Sequence, residues 1–299
     1  MDLLSHLTAT LLIYTGLALS LNFAMGKTSI WSVGHLGFYG IGALFAAAIL
    51  DSSLSPMLSF WLGLIGAACC GALFGYGIGL TTLRLRKDYF VILSLAFSEL
   101  VFGLSLSWKG PAGFDRLARP DFFGISLRND WAFIGLVLAP FVAILIWLFH
   151  RFSASPVERA CALIRTNEEL ATVLKLSPVY YKLSCFCISA AVASMCGATS
   201  TFYYSSTDPN QISLQNNLLL FAAVIFGGLN SILGSILGGL LLVAVPTILE
   251  ALIFRNQFGS LYAAQFKQIL FGLLLLSAVR FLPAGVAGSV ALSEPAGKR

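Results

Sequence analysis

The chain has 299 residues, 58% of them hydrophobic and 10% charged, with a formal net charge of +5 and a mean hydropathy of +0.88. A water-soluble domain carries roughly 25% charged residues to solvate its surface, so this composition excludes a soluble globule. The modest positive balance gives no ground for binding nucleic acid.

Crossing a bilayer takes an apolar stretch of about 17–25 residues. Such stretches are predicted at about 7–23, 31–50, 58–80, 88–106, 131–149, 182–204, 216–226 with 232–250, and 266–282. The fold class is all-α: a polytopic transmembrane helix bundle of about eight to nine spans with Gly-interrupted helices, forming one transmembrane domain over 1–299. The first stretch lacks a basic leading region and a clear small-residue cleavage site. It reads as a retained span.

In the second stretch, Gly34, His35, Gly37, Phe38, Gly40 and Gly42 stand close together. Such a sequence allows either close packing or an opened helix that shows backbone groups to a solute. In the third stretch Gly71, Gly75 and Gly79 share one helical face, and their expected role is packing. The fourth carries Glu99 in FVILSLAFSELVFG. A charge in hydrocarbon costs at least about 2.5–3.5 kcal/mol, so Glu99 is either a post on a wet pathway or an interhelical or interfacial contact. Ionisable residues within spans are few (His35, Glu99 and, near the ends, Glu250 and Arg280), which leaves little for a proton relay and argues for an energy source outside the chain.

Two connecting segments are long enough to have functions: 107–130 and 150–181. In the second, Ser155 suits a helix cap, Pro156 a first turn and Glu158 the positive end of a helix dipole. A second short helix is predicted from about Glu168 to Leu176. Apolar Ala160, Leu163, Ile164, Val173 and Leu174 alternate with charges such as Arg159 and Arg165. The segment reads as a paired amphipathic docking surface. Further on, 216–250 is too long for one ordinary span and breaks at Gly227-Gly228-Leu229-Asn230-Ser231. Two short helices around a Gly-rich break, or a re-entrant hairpin, would account for it.

The larger share of basic residues falls in 24–30, 81–87, 150–181 and the C-terminal end: Lys27, Arg84, Arg86, Lys87, Arg151, Arg159, Arg165, Lys175, Lys182, Arg280, Lys298 and Arg299. Lys109, Arg116, Arg119, Arg128, Arg255 and Lys267 fall on the other side. The positive-inside rule makes the first side cytoplasmic, which puts the N-terminus outside and asks for about nine crossings. The cysteines, Cys69, Cys70, Cys161, Cys185, Cys187 and Cys196, form no C-x-x-C pair and read as small packing residues. No phosphate-loop motif is present, and neither a metal nor a cofactor site is expected.

Four blocks carry a family resemblance: SVGHLGFYGIGALFAA (32–47), LRLRKDYFVILSLAFSEL (83–100), GPAG (110–113) with RPDFFG (119–124), and FAAVIFGGLNSILGSILGGLLL (221–242). Arg165, Asn167-Glu168 and Tyr181-Lys182-Leu183 match more loosely. On these the chain resembles the permeases of the high-affinity branched-chain amino acid ABC importers, the M-type subunit. The resemblance implies a subunit that is not itself an enzyme, in a bacterial inner membrane. It implies as partners a second related permease, two cytosolic ATPases and an extracytoplasmic solute-binding protein.

The Gly-interrupted stretches, with His35 and Glu99, point to a solute pathway past Gly34, His35, Gly37, Phe38, Glu99, Gly227 and Gly228. Coupling to an ATPase would run through Glu158, Arg159, Ala160, Leu163, Arg165, Asn167 and Glu168. One departure is Lys175, where relatives place a helix-ending Gly. Amino acids are the leading solute, with urea, amides and other small solutes of the same family as alternatives. A stand-alone secondary transporter or channel and a scaffold subunit without a pathway are readings from other classes.

Overall fold

The computed structural model describes residues 3–52, 55–82, 87–111, 113–115, 117, 119, 129–255, 269, 272 and 273. The expected span 266–282, apart from residues 269, 272 and 273, lies outside the described residues. So do Arg84, Arg86, Arg116, residues 120–128 and Arg280. The described residues form helices and turns, with a single β-bridge between Phe114 and Thr207.

The elements in chain order are α1 (Leu3–Thr28), α2 (Leu36–Leu50), α3 (Pro56–Thr82), α4 (Lys87–Lys109), α5 (Asp130–Phe133), a π turn (Ile134–Leu138), α6 (Ala139–Ser153), α7 (Pro156–Thr166), α8 (Glu168–Val173), α9 (Pro178–Tyr204), a 3-10 turn (Pro209–Ile212), α10 (Leu214–Gly227) and α11 (Ile232–Arg255). Among the described residues, five helical stretches are long and apolar enough to cross a membrane: Leu4–Thr28, Pro56–Thr82, Tyr89–Trp108, Asp130–Ser153 and Pro178–Tyr204. Three shorter apolar helices, Leu36–Leu50, Leu214–Gly227 and Ile232–Val243, pack among them.

Close packing rests on small residues. Along α3, Ser59, Gly63, Ala67, Gly71, Gly75 and Gly79 form one buried stripe. A Cβ at Gly71 would fall 2.5 Å from Ser194 Cβ, and one at Gly75 would fall 2.7 Å from Ala190 Cβ, both on α9. The small residues thus let the two helices touch along their length, as close membrane-helix contact requires.

The π turn has a local cause. Pro140 lacks an N–H and its ring crowds the preceding carbonyls, so the helix widens by one residue just before it.

One expectation changes. Residues 31–35 are not helical, because the chain turns at Gly34-His35 before α2 begins at Leu36. From there α2 runs unbroken through Gly37, Gly40 and Gly42, so those glycines do not open the helix. They seat it: a Cβ at Gly42 would lie 1.8 Å from Ser194 O, and one at Gly37 2.9 Å from Ser98 Cα. The 216–250 stretch forms, as expected, two helices around the Gly-rich break, folded against each other as a tight hairpin. A Cβ at Gly227 would meet Gly234 O at 1.9 Å, and one at Gly238 would meet Ala223 O at 2.8 Å, which brings α10 and α11 nearly into backbone contact.

Candidate functional site

The non-helical residues before α2 leave backbone N–H groups that must be satisfied inside an apolar bundle. Side chains from distant helices do this. Ser94 Oγ accepts from Gly34 N (3.3 Å), and Asn217 Oδ1 accepts from Leu36 N (3.0 Å). Asn217 Nδ2 in turn donates to Ser98 Oγ (2.8 Å) and Ile212 O (2.9 Å). The start of α2, the middle of α4 and the first turn of α10 therefore share one buried polar belt.

His35 lies in this belt and is fully buried. Its Nε2 is 2.9 Å from Ser20 Oγ. Ser20 Oγ donates to Leu17 O, so it accepts from His35 Nε2–H. The ring is then the tautomer whose Nδ1 is a bare acceptor, and Nδ1 has no partner. Phe38 packs edge-on to the His35 ring at 5.9 Å and against Phe186 at 5.5 Å.

Towards the end of the bundle where α1 begins, a cavity of about 370 Å³ is lined by His6, Thr10, Ile13, Tyr14, Tyr39, Tyr204, Ser206 and Gln211. Tyr39, one helical turn after His35, is among its lining residues, with its hydroxyl 2.7 Å from Ser200 Oγ and 2.8 Å from Gln211 Oε1. The cavity therefore reaches from one end of the bundle towards the polar belt.

Gly227 and Gly228 lie at the turn between α10 and α11. Gly228 has φ +113°, a conformation that suits glycine. The turn is held by Asn22 of α1. Its Nδ2 donates to Gly228 O (3.1 Å), Ser231 O (3.0 Å) and Ser235 Oγ (2.7 Å), and its Oδ1 accepts from Asn230 N (2.8 Å). Glu99 is apart from both groups. It is exposed on the outward face of α4, one residue from inward-facing Ser98. Sequence reasoning, which weighed ionisable groups and glycines, missed Asn22 and Asn217; an amide inside an apolar run was the available signal.

At the opposite end, α7 and α8 form the predicted helix pair. Ser155 Oγ caps α7 by accepting from Glu158 N (3.3 Å), and Asn167 Oδ1 caps α8 by accepting from Leu170 N (3.0 Å). The pair is bolted to the bundle. Lys27 Nζ, at the end of α1, lies 3.0 Å from Glu158 Oε1 and 3.0 Å from Ser153 Oγ. Arg165 donates to Gly26 O, and Lys182 pairs with Glu168. Cys161 and Ile164 are the buried face of α7. The neighbouring Cys185 thiol is 3.8 Å away, where either thiol can donate, and this hydrogen bond holds the Cys161 thiol below its ordinary pKa.

Arg159 is exposed, and Ala160 and Leu163 are half-buried. The free face carries Val157, Leu170, Leu174 and Val173, the last 77% exposed. Lys175 takes the left-handed conformation a Gly would have taken, with φ 61°. Leu176 N donates to Ala171 O and Lys175 N to Thr172 O, the paired bonds of a Schellman turn. The helix-ending geometry is kept despite the changed residue.

Residues 3–279 match the protein family described as the permease component of branched-chain amino acid transport systems. The chain is similar to the high-affinity branched-chain amino acid transport system permease protein LivM of Salmonella typhimurium, at 30% identity over 78% of this chain and 60% of the relative. The Escherichia coli LivM protein is 31% identical over the same shares. The probable LivM permease of Methanocaldococcus jannaschii is 25% identical over 100% of this chain and 97% of its own length. The chain thus spans about 60% of the length of the first two. No solved structure matches it.

Proposed function

Since the chain belongs to the permease family of branched-chain amino acid transport systems, we propose that it is a membrane-spanning subunit of an ABC importer that takes up amino acids, branched-chain ones first. It is a multi-pass membrane protein, and the reading places it in the bacterial inner membrane with α7 and α8 on the cytosolic side. ATP is hydrolysed by two separate cytosolic subunits, a second related permease completes the conduit, and an extracytoplasmic binding protein delivers the solute against the 107–130 segment.

The observation that carries this reading is the α7–α8 pair. Its inner face is fixed to α1 and α9 by charged contacts, while Val157, Leu170, Val173 and Leu174 stand exposed among Arg159, Glu169 and Lys175. Apolar side chains in such a setting gain on the order of 1.5–3 kcal/mol each when a partner covers them fully. Glu158, Arg159, Ala160, Leu163, Arg165, Asn167 and Glu168 build the pair and its anchors, which suits ATPase coupling.

For the solute pathway we propose Gly34, His35, Gly37, Phe38, Glu99, Gly227 and Gly228. The bare Nδ1 of His35 offers an acceptor to an ammonium group at mid-bundle. The two non-helical breaks before α2 and after α10 are where backbone groups change partners most readily.

The test is Leu170→Glu with Val173→Glu in the full complex. Both positions are exposed, Leu170 at 47% and Val173 at 77%, so the chain should stay folded while ATPase co-purification and solute-stimulated ATP hydrolysis fall at least about tenfold, as expected for losing two apolar anchors. Unchanged docking and hydrolysis would remove the coupling role.

A further inference from the structure

The cavity of about 370 Å³ at the end of the bundle where α1 begins offers an uneven supply of hydrogen-bonding groups. A hydroxyl carries one proton and two lone pairs, and most hydroxyls on this wall have already given their proton away. Thr10 Oγ1 donates to His6 O (2.7 Å), so across its 2.7 Å contact with Tyr204 it is the tyrosine that donates. Ser206 Oγ donates to the Tyr204 carbonyl at 3.4 Å. The Tyr39 proton is drawn to Ser200 Oγ and Gln211 Oε1, at 2.7 and 2.8 Å. Thr10, Tyr39, Tyr204 and Ser206 therefore have lone pairs left for an occupant. The donors that remain are the Tyr14 hydroxyl, the Gln211 amide N–H groups and the ring N–H of His6.

The rest of the wall favours a cation. Three of its eight residues are tyrosines, and among the described residues that line it there is no lysine or arginine. A smaller space alongside shares Tyr39, Ser206 and Gln211 and adds Asp208, whose Oδ1 accepts from Asn210 N and Nδ2. Aromatic rings attract ammonium cations, most strongly where water is excluded. An ammonium group is also all donor and no acceptor, the complement of these lone pairs. A lone carboxylate or phosphate would meet mostly lone pairs and a neighbouring negative charge.

We propose that this cavity is a binding site, held within this one chain, for the ammonium group of a small organic solute. Tyr39, Tyr204 and Thr10 take its N–H bonds, and the tyrosine rings answer its charge. His35 is not among the lining residues, so this is a site besides the mid-bundle acceptor. It goes beyond the importer reading and holds whichever subunits accompany the chain. A simple amine and an amino acid both present the ammonium group. The amino acid adds a carboxylate, for which the Tyr14 hydroxyl and the Gln211 amide N–H remain.

The experiment uses the full chain in detergent, with the subunits that accompany it, carrying Ser206→Cys in the cavity or Ser107→Cys at an exposed reference position. Each is treated with trimethylammonioethyl methanethiosulfonate and with its anionic sulfonatoethyl counterpart, and modification at that residue is followed by mass spectrometry. Relative to position 107, position 206 should favour the cationic reagent by roughly tenfold. Isoamylamine should slow the reaction at position 206. The carboxylate 4-methylpentanoate, with the same branched chain and no amine, should not. Leucine protecting at lower concentration than isoamylamine identifies an amino acid as the occupant, and the reverse order identifies a simple amine. Tyr14 makes no hydrogen bond among the described residues, so Tyr14→Leu should leave melting unchanged and weaken the protection by roughly tenfold. Equal reagent preference at the two positions, or protection by 4-methylpentanoate as good as that by isoamylamine, would overturn the proposal whatever Tyr14→Leu does to folding. So would full protection in a folded Tyr14→Leu chain. None of these outcomes touches the importer reading, which the α7–α8 variants decide.

Discussion

Lys175 shows how much a single residue can hide. The left-handed turn after α8 is formed by a residue whose Cβ makes that conformation costly, about 1–2 kcal/mol above a right-handed one. The turn persists because its two backbone bonds, Leu176 N to Ala171 O and Lys175 N to Thr172 O, satisfy the end of the helix. Lys175→Gly should therefore stabilise the turn by about 1 kcal/mol. Amide hydrogen exchange at Leu176 would report this as roughly fivefold slowing, and unchanged exchange would mean that the turn is not strained. The identity of residue 175 suggested a departure here, but the bonding pattern overrode the local preference. Asn22 and Asn217 show the converse. Their uncharged amides stand out little in the sequence, yet each makes several hydrogen bonds to segments far along the chain, because non-helical backbone in an apolar interior has no water to turn to.

Among the elements, the long spans were legible because the length of an apolar run is a direct signal of a crossing. The start of α2 was not. An apolar run conceals the turn at Gly34-His35, whose backbone groups are satisfied by Ser94 and Asn217, 60 and 181 residues away in sequence. The pathway glycines are also less separable from the fold than their sequence suggests. A Cβ at Gly34 would lie 1.7 Å from Ser94 O, so substitution there tests packing before it tests transport. The anchoring of α7 was half legible: Glu158 reads as a dipole partner at a helix start, but its ion pair with Lys27 joins elements 131 residues apart. Lys27 is 2% exposed and Glu158 15%, and Glu158 Oε2 is already without a partner. Lys27→Met should cost about 3 kcal/mol, since it strands a largely buried carboxylate, and adding Glu158→Leu should recover most of that loss. Thermal unfolding of the purified protein in detergent measures both. If the double variant is no more stable than the single one, the pair contributes through packing and not through charge.

The orientation of the whole molecule rests on where its uncompensated cations lie. At the α7–α8 end, Arg151, Arg159 and Lys175 are exposed, and Lys27 and Lys182 are paired within the segment itself. At the other end, Arg119 is held 2.8 Å from Asp130 and stacks over the Tyr203 ring at 5.4 Å, so part of its charge is already answered within the chain. The count of lysines and arginines carries the asymmetry, and by it the α7–α8 end should be cytosolic. Ser107, exposed at the end of α4, and Val173, exposed on α8, lie at opposite ends of the bundle. With Ser107→Cys, an impermeant maleimide added to intact spheroplasts should label the chain above the level given by the native cysteines. With Val173→Cys, labelling should appear only after the membrane is permeabilised. The reverse pattern would invert the molecule, place the exposed apolar face of α7 and α8 on the side of the membrane without ATP, and leave the importer reading with no surface on which an ATPase could dock.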